Sequence, residues 1–160
     1  MASPPPPPAE GALLTLGSPA PDVTFTLQDG FRLSLAADKG KLVVVYFCTD
    51  AAQADCVREA RGVRDRWNDL FRNHVVVVGV TPQSVAAHRA LIAHENLPFD
   101  LASDVDGHLA EAFKATATPG AFGPRVIVIG RDGTVRRTWQ TADPERHIQE
   151  ILRLAQTPST

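Results

Sequence analysis

Two runs of apolar, mostly β-branched residues, Leu42-Val-Val-Val-Tyr-Phe47 and Val75-Val-Val-Val-Gly-Val80, stand one helix length apart. An apolar run without polar alternation is the pattern of a strand covered on both faces. Between them Cys56, Ala60, Val63, Trp67 and Leu70 recur at helical spacing, and Asn73-His74 closes the stretch. Strand, amphipathic helix and strand make a βαβ unit, whose crossover is right-handed. The residues before the helix, 48–55, are polar and short-sided and predict a loop, with Asp55 as the N-cap or as a first-turn acid if the helix starts earlier.

The flanking sequence extends this nucleus. Val23, Phe25 and Leu27 alternate with polar residues, Asp29-Gly30 marks a tight turn, and Phe31, Leu33 and Leu35 alternate again, which predicts a β-hairpin. Thr81-Pro82 opens a helix to about His94, and a shorter one is expected over about Val105 to Lys114, with Leu109, Ala112 and Phe113 on one side. Val126-Ile-Val-Ile129, the Arg131-Asp-Gly-Thr134 turn and Val135 to Trp139 predict a second hairpin. Asp143-Pro144-Glu145 reads as an N-cap followed by proline at the first helical position, and the last helix carries Ile148, Ile151, Leu152 and Ala155. The expected class is α/β, a central mixed sheet with helices on both faces. Residues 1–12, with proline from Pro4 to Pro8, are expected to be a disordered tail, residues 13–156 one domain, and 157–160 a short tail.

Composition narrows the functions. Sixteen Lys and Arg against 18 Asp and Glu leave no basic excess to neutralise a phosphate backbone, so a nucleic-acid partner is not expected. No apolar run reaches the roughly 20 residues of a membrane helix, and no secretory signal is read at the N-terminus, which predicts a cytoplasmic protein with no membrane partner. The five histidines, His74, His88, His94, His108 and His147, lack metal-ligand spacing and read as surface or helix-end residues, so neither metal nor organic cofactor is expected. Trp67 and Trp139 read as core aromatics. Arg58, Arg61, Arg64, Arg66 and Arg72 read as a solvated helix face paired with Glu59, Asp65 and Asp69.

Chemistry gathers at the end of the first buried strand. Cys48 and Cys56 do not form a C-x-x-C, and they admit three readings: inert core residues, a redox pair, or one reactive thiol with a bystander. A cysteine in the first turn of a helix is stabilised as thiolate by the unpaired N–H groups there, and Arg58 and Arg61 lie close by in sequence. Against this, Cys56 can equally be the first apolar contact of the stripe that it shares with Ala60 and Val63.

Gly17-Ser-Pro-Ala-Pro-Asp22, Gly40-Lys-Leu-Val-Val-Val-Tyr-Phe47, Cys56-Val-Arg-Glu59, Val105-Asp-Gly107 and Val126-Ile-Val-Ile-Gly-Arg-Asp-Gly133 carry a resemblance to the peroxiredoxins, closest to the bacterioferritin-comigratory-protein type, over residues 13–155. The nine-residue step from Phe47 to Cys56 matches that family, whereas thioredoxin-like reductases carry a cysteine where this chain has Gln53. The resemblance implies a thioredoxin-like fold with an N-terminal hairpin. It implies a thiol peroxidase in which Cys56 attacks hydrogen peroxide or an organic hydroperoxide and is recycled by thioredoxin or a low-molecular-weight thiol. The assembly would be a monomer or a homodimer.

The resemblance departs at the site itself. In the family motif P-x-x-x-T/S-x-x-C, Thr49 stands for the proline and Gln53 for the hydroxyl residue. A Gln amide both donates and accepts, so Gln53 and Thr49 are assigned to polarising the peroxide, at reduced speed. The family's arginine position falls on Pro124, with Arg125 next to it; Arg125 joins the site after a one-residue loop shift, or Pro124 is a cis proline and Arg125 points elsewhere. The family's resolving-cysteine positions hold Arg61 or the region of Ile92. That leaves Cys48 either as a buried thiol beside an externally recycled Cys56, the reading favoured, or as its disulfide partner, which requires Cα atoms within about 6.8 Å. Two other functions remain open: a non-catalytic oxidant sensor or partner-binding protein, motivated by Thr49 and Gln53, and a thiol–disulfide oxidoreductase using Cys48 and Cys56.

Overall fold

The computed structural model describes residues 14–48, 54–115, 126–140 and 143–157. The Pro-rich segment lies outside them. Seven strands form one mixed sheet: β1 (Thr24–Leu27), β2 (Arg32–Ser34), β3 (Leu42–Phe47), β4 (Val75–Thr81), β5 (Asp100–Ser103), β6 (Val126–Ile129) and β7 (Val135–Trp139). Their order is β2-β1-β5-β4-β3-β6-β7. The two apolar runs are adjacent and parallel, with Leu42 opposite Val75 and Phe47 opposite Val80, as the βαβ reading requires.

Alternation along β3 divides the core. Leu42, Val44 and Tyr46 pack with Val75, Val77 and the apolar stripes of α1 (Ala54–Asp65) and α5 (Pro144–Gln156). Val43, Val45 and Phe47 face the other way, onto Phe25, Leu109 and Phe113. Every residue of β3 is buried, because a two-sided core leaves no strand face for water.

Both hairpins form, the first pairing Phe25 with Leu33. Phe31 does not follow the inward alternation: it is exposed beside the turn. The single helix expected after Cys56 is instead α1 followed by α2 (Trp67–Arg72). At the break the Arg66 N–H is shared between the Gly62 and Val63 carbonyls, which tightens the last turn and lets Trp67 turn onto Phe99 and Phe71. Helix α3 (Val85–Glu95) starts later than Thr81-Pro82 implies, at Ser84, whose hydroxyl accepts the Ala87 N–H.

Strand β5 was not anticipated. It has four residues, polar at both ends, too few for an alternation to show, yet it carries Leu101 and Ala102 into the core and joins the first hairpin to β4. Helix α4 (His108–Ala112) is shorter than expected. Helix α5 begins as its sequence dictates, with Asp143 accepting the Arg146 N–H and Pro144 in the first turn. Two histidines expected at the surface are core residues: His88 is enclosed between α3 and the sheet, and His147 stacks flat on Trp139.

Candidate redox site

Strand β3 ends by delivering Cys48 to the core. Its N–H donates to the Val80 carbonyl at 2.9 Å, continuing the β3–β4 ladder by one residue and fixing the cysteine at the strand's carboxyl end. Cys56 arrives from the first turn of α1, which starts at Ala54, so Asp55 is a first-turn acid rather than a cap. Both side chains are buried in the same apolar cluster as Ala60 and Val63.

The two sulfurs are joined in a disulfide, with Cα atoms 5.9 Å apart. This corrects the favoured expectation of a buried Cys48 thiol. Sequence separation alone could not show that the strand end and the helix start converge; the parallel β3–β4 pairing and the packing of α1 on that face bring them together. Thr49, Gln53, Pro124 and Arg125 lie outside the described residues.

Behind the disulfide is a cavity of about 10 Å³ lined by Tyr46, Thr81, Leu91 and Leu101 together with both cysteines. That is about the room one water requires, so the sulfurs sit in a nearly dry wall. Burial, with the negative charge of Glu59 adding to it, pushes the Tyr46 phenol far above its ordinary value and keeps it protonated. Gly79 makes space for that ring: a Cβ there would collide with Tyr46 and come within 2.8 Å of Leu101.

A polar network flanks the cavity. The buried His88 ring bonds the Thr81 hydroxyl through Nε2 at 2.5 Å and faces the Ser103 hydroxyl through Nδ1 at 3.3 Å. Burial lowers its pKa, so the neutral ring ties α3 to the ends of β4 and β5. Thr81 also accepts the Gln83 N–H at 3.0 Å. Sequence reasoning missed this group; the signal was the place of His88 three and four residues before Leu91 and Ile92, on the side of α3 that packs against the core.

The charged face of α1 is also rearranged. Glu59, expected among solvated pairs, is buried. Arg61 reaches Glu95 of α3 at 3.0 Å, and Arg64 donates to the Glu95 backbone carbonyl at 2.9 Å. Arg58 lies 3.4 Å from Asp55. The positive charge expected beside Cys56 is therefore largely answered by local acids. Arg64–Asp65, Arg66–Asp69 and Arg72–Asp69 pair as expected. Among the described residues Asp104, Asp106 and His108 cluster closely enough to ligate a cation, but the two Asp104 oxygens already accept the Leu109 and Ala110 N–H groups and cap α4.

A thioredoxin-like sheet whose first central strand and following helix are linked by a disulfide defines a thiol-based redox protein. The model of the AhpC/TSA family matches residues 16–138, and the chain belongs to that family. It is 32% identical over 146 residues to a Coxiella burnetii protein assigned to peroxiredoxin Bcp, covering 87% of this chain and 97% of that one. It is 29% identical to peroxiredoxin Bcp of Bacillus subtilis, over 87% of this chain and 93% of the relative. The fold is shared with the crystal structure of peroxidoxin BcpB from Mycobacterium tuberculosis, at a TM-score of 0.76 and 20% identity over 91% of this chain and 98% of that one. The protein is thus a peroxiredoxin of the Bcp kind, a thiol peroxidase, as the resemblance implied. No helix among the described residues is long and apolar enough to cross a membrane.

Proposed function

We propose that Cys56 is the peroxidatic residue and Cys48 its resolving partner. The Cys56 thiolate, in the first turn of α1, attacks the distal oxygen of a hydroperoxide. The O–O bond breaks, the alkoxide or hydroxide leaves with a proton, and Cys56 becomes a sulfenic acid. The Cys48 sulfur then displaces water from it and forms the disulfide. A dithiol such as thioredoxin, or two low-molecular-weight thiols, reduces the bond and is oxidised in turn. Gln53, Thr49 and Arg125 are assigned to polarising the peroxide. The observation that carries this reading is the Cys48–Cys56 disulfide at the strand–helix junction.

The substrate is hydrogen peroxide or an organic hydroperoxide, and the reaction is assigned to the cytoplasm, where thiol reductants are abundant. The working form is assigned as a monomer or homodimer. The test is to add stoichiometric peroxide to reduced protein and follow intact mass for wild type, Cys56→Ser and Cys48→Ser. Wild type should lose two hydrogens, Cys48→Ser should stop at a sulfenic acid trapped by dimedone, and Cys56→Ser should react no faster than a free cysteine. Wild-type oxidation at the free-cysteine rate would instead favour the oxidant-sensor or partner-binding reading. Slow peroxide reaction with rapid exchange against a disulfide substrate would favour the oxidoreductase.

A further inference from the structure

Among the described residues β6 accompanies β3 only as far as Tyr46, which faces Val126. Beyond that point β4 alone holds the strand, through the pairing of Phe47 with Val80 and the bond from the Cys48 N–H to the Val80 carbonyl. Where the Cys48 sulfur lies therefore depends on how firmly the end of β4 is fixed.

The residue after Val80 does that fixing. The Thr81 carbonyl accepts the Asp104 N–H at 2.8 Å, and its hydroxyl accepts the Gln83 N–H at 3.0 Å and bonds His88 Nε2 at 2.5 Å. The other nitrogen of the His88 ring faces the hydroxyl of Ser103, which is paired with Thr81 across β4 and β5. Thr81 and His88 are both buried, and Thr81 shares the wall of the small cavity with both cysteines. A valine and a leucine at these two positions would fill a core without polar groups to satisfy. A buried polar group with its bonds made holds one geometry where apolar contacts tolerate several.

We propose that Thr81 and His88 are positioning residues for disulfide formation: they fix the end of β4 from which Cys48 hangs, and so set the rate at which Cys48 meets the Cys56 sulfenic acid. The proposal rests on the assignment of Cys48 as the resolving cysteine. In that step the Cys48 thiolate attacks the Cys56 sulfur, the S–S bond forms as the S–O bond breaks, and the hydroxide takes a proton and leaves as water. Misplacing one reacting atom by about 1 Å can cost on the order of 10²-fold in rate. Peroxide attack uses Cys56, which α1 carries, so the pair acts on the second step rather than the first.

The test separates the two steps. Reduced full-length protein is mixed with stoichiometric hydrogen peroxide and quenched at intervals; dimedone trapping reports the sulfenic acid, and loss of two hydrogens in intact mass reports the disulfide. Thr81→Val should slow disulfide formation at least about tenfold, with the first rate close to wild type and a longer-lived sulfenic acid. Thr81→Ser, which keeps the hydroxyl, should restore the second rate. If Thr81→Val does not fold, the double variant Thr81→Val/His88→Leu, which removes both partners of the bond and orphans neither, takes its place with the same expectation. Undiminished disulfide formation in the folded variant, equal slowing of both steps, or no rescue by Thr81→Ser would overturn the proposal. A wild type that stops at the sulfenic acid would instead remove the assignment of Cys48, and the proposal with it.

Discussion

Reduction of the Cys48–Cys56 bond should lower the stability of the native fold by an amount set by the loop that the bond closes. The cysteines are 8 residues apart in sequence. Chain-entropy arithmetic for a loop of that size gives about 8 cal/mol/K, or about 2.5 kcal/mol at 25 °C. The backbone around both residues is already held, by the Cys48 N–H to Val80 bond and by α1, so reduction leaves two buried thiols in an apolar cluster rather than an opened core. In a chain of this size each kcal/mol moves the midpoint about 2–4 °C, so the oxidised protein should melt about 5–10 °C above the reduced one. The assay is a calorimetric scan with and without a phosphine reductant, run beside the Cys48→Ala/Cys56→Ala double variant, which should not respond to reductant. Equal midpoints for oxidised and reduced wild type, or a higher midpoint after reduction, would refute the reasoning, since native-state relaxation would then outweigh the entropy of the closed loop.

Two further outcomes follow from the surroundings of the disulfide. Gly79→Ala puts a methyl group into the Tyr46 ring and against Leu101, and should cost about 1–3 kcal/mol in urea unfolding; an unchanged midpoint would mean that the β4 backbone gives way. Burial holds His88 below its ordinary value of 6.5, so the unfolded chain takes up the proton first as pH falls. The stability contributed by the neutral ring is thus complete above about 6.5 and is lost as pH drops toward the lowered folded value. His88→Gln should flatten the fall in melting temperature between pH 7 and 5, with the remainder due to His147, which burial shifts the same way; an unaltered slope would rule His88 out as the source.

What could be read in advance tracks how local each signal is. The Asp143-Pro144 start and the Asp29-Gly30 turn were legible because capping and turn geometry are settled within a few residues. Strand β5 was not, since a four-residue strand with polar ends acquires its identity from its neighbours β1 and β4. Residue type favours exposure for Glu59, His88 and His147, and only the packing of helices on the sheet shows that these positions turn inward. Cys56 was legible as a helix-start thiol. Its partnership with Cys48 was legible only as one of several alternatives.

By itself the sequence determined the class of fold, the buried strand pair Leu42–Phe47 and Val75–Val80, and the place where a thiol would meet a helix start, because hydrophobic period and run length act along the chain. Tertiary structure decided which side chains share a wall. The cysteines bond with their Cα atoms 5.9 Å apart, Arg61 answers Glu95 rather than its own helix, and Glu59 and His88 are buried. Each depends on how separate strands and helices pack against one another, and desolvation at that packing determines the chemistry of the groups involved.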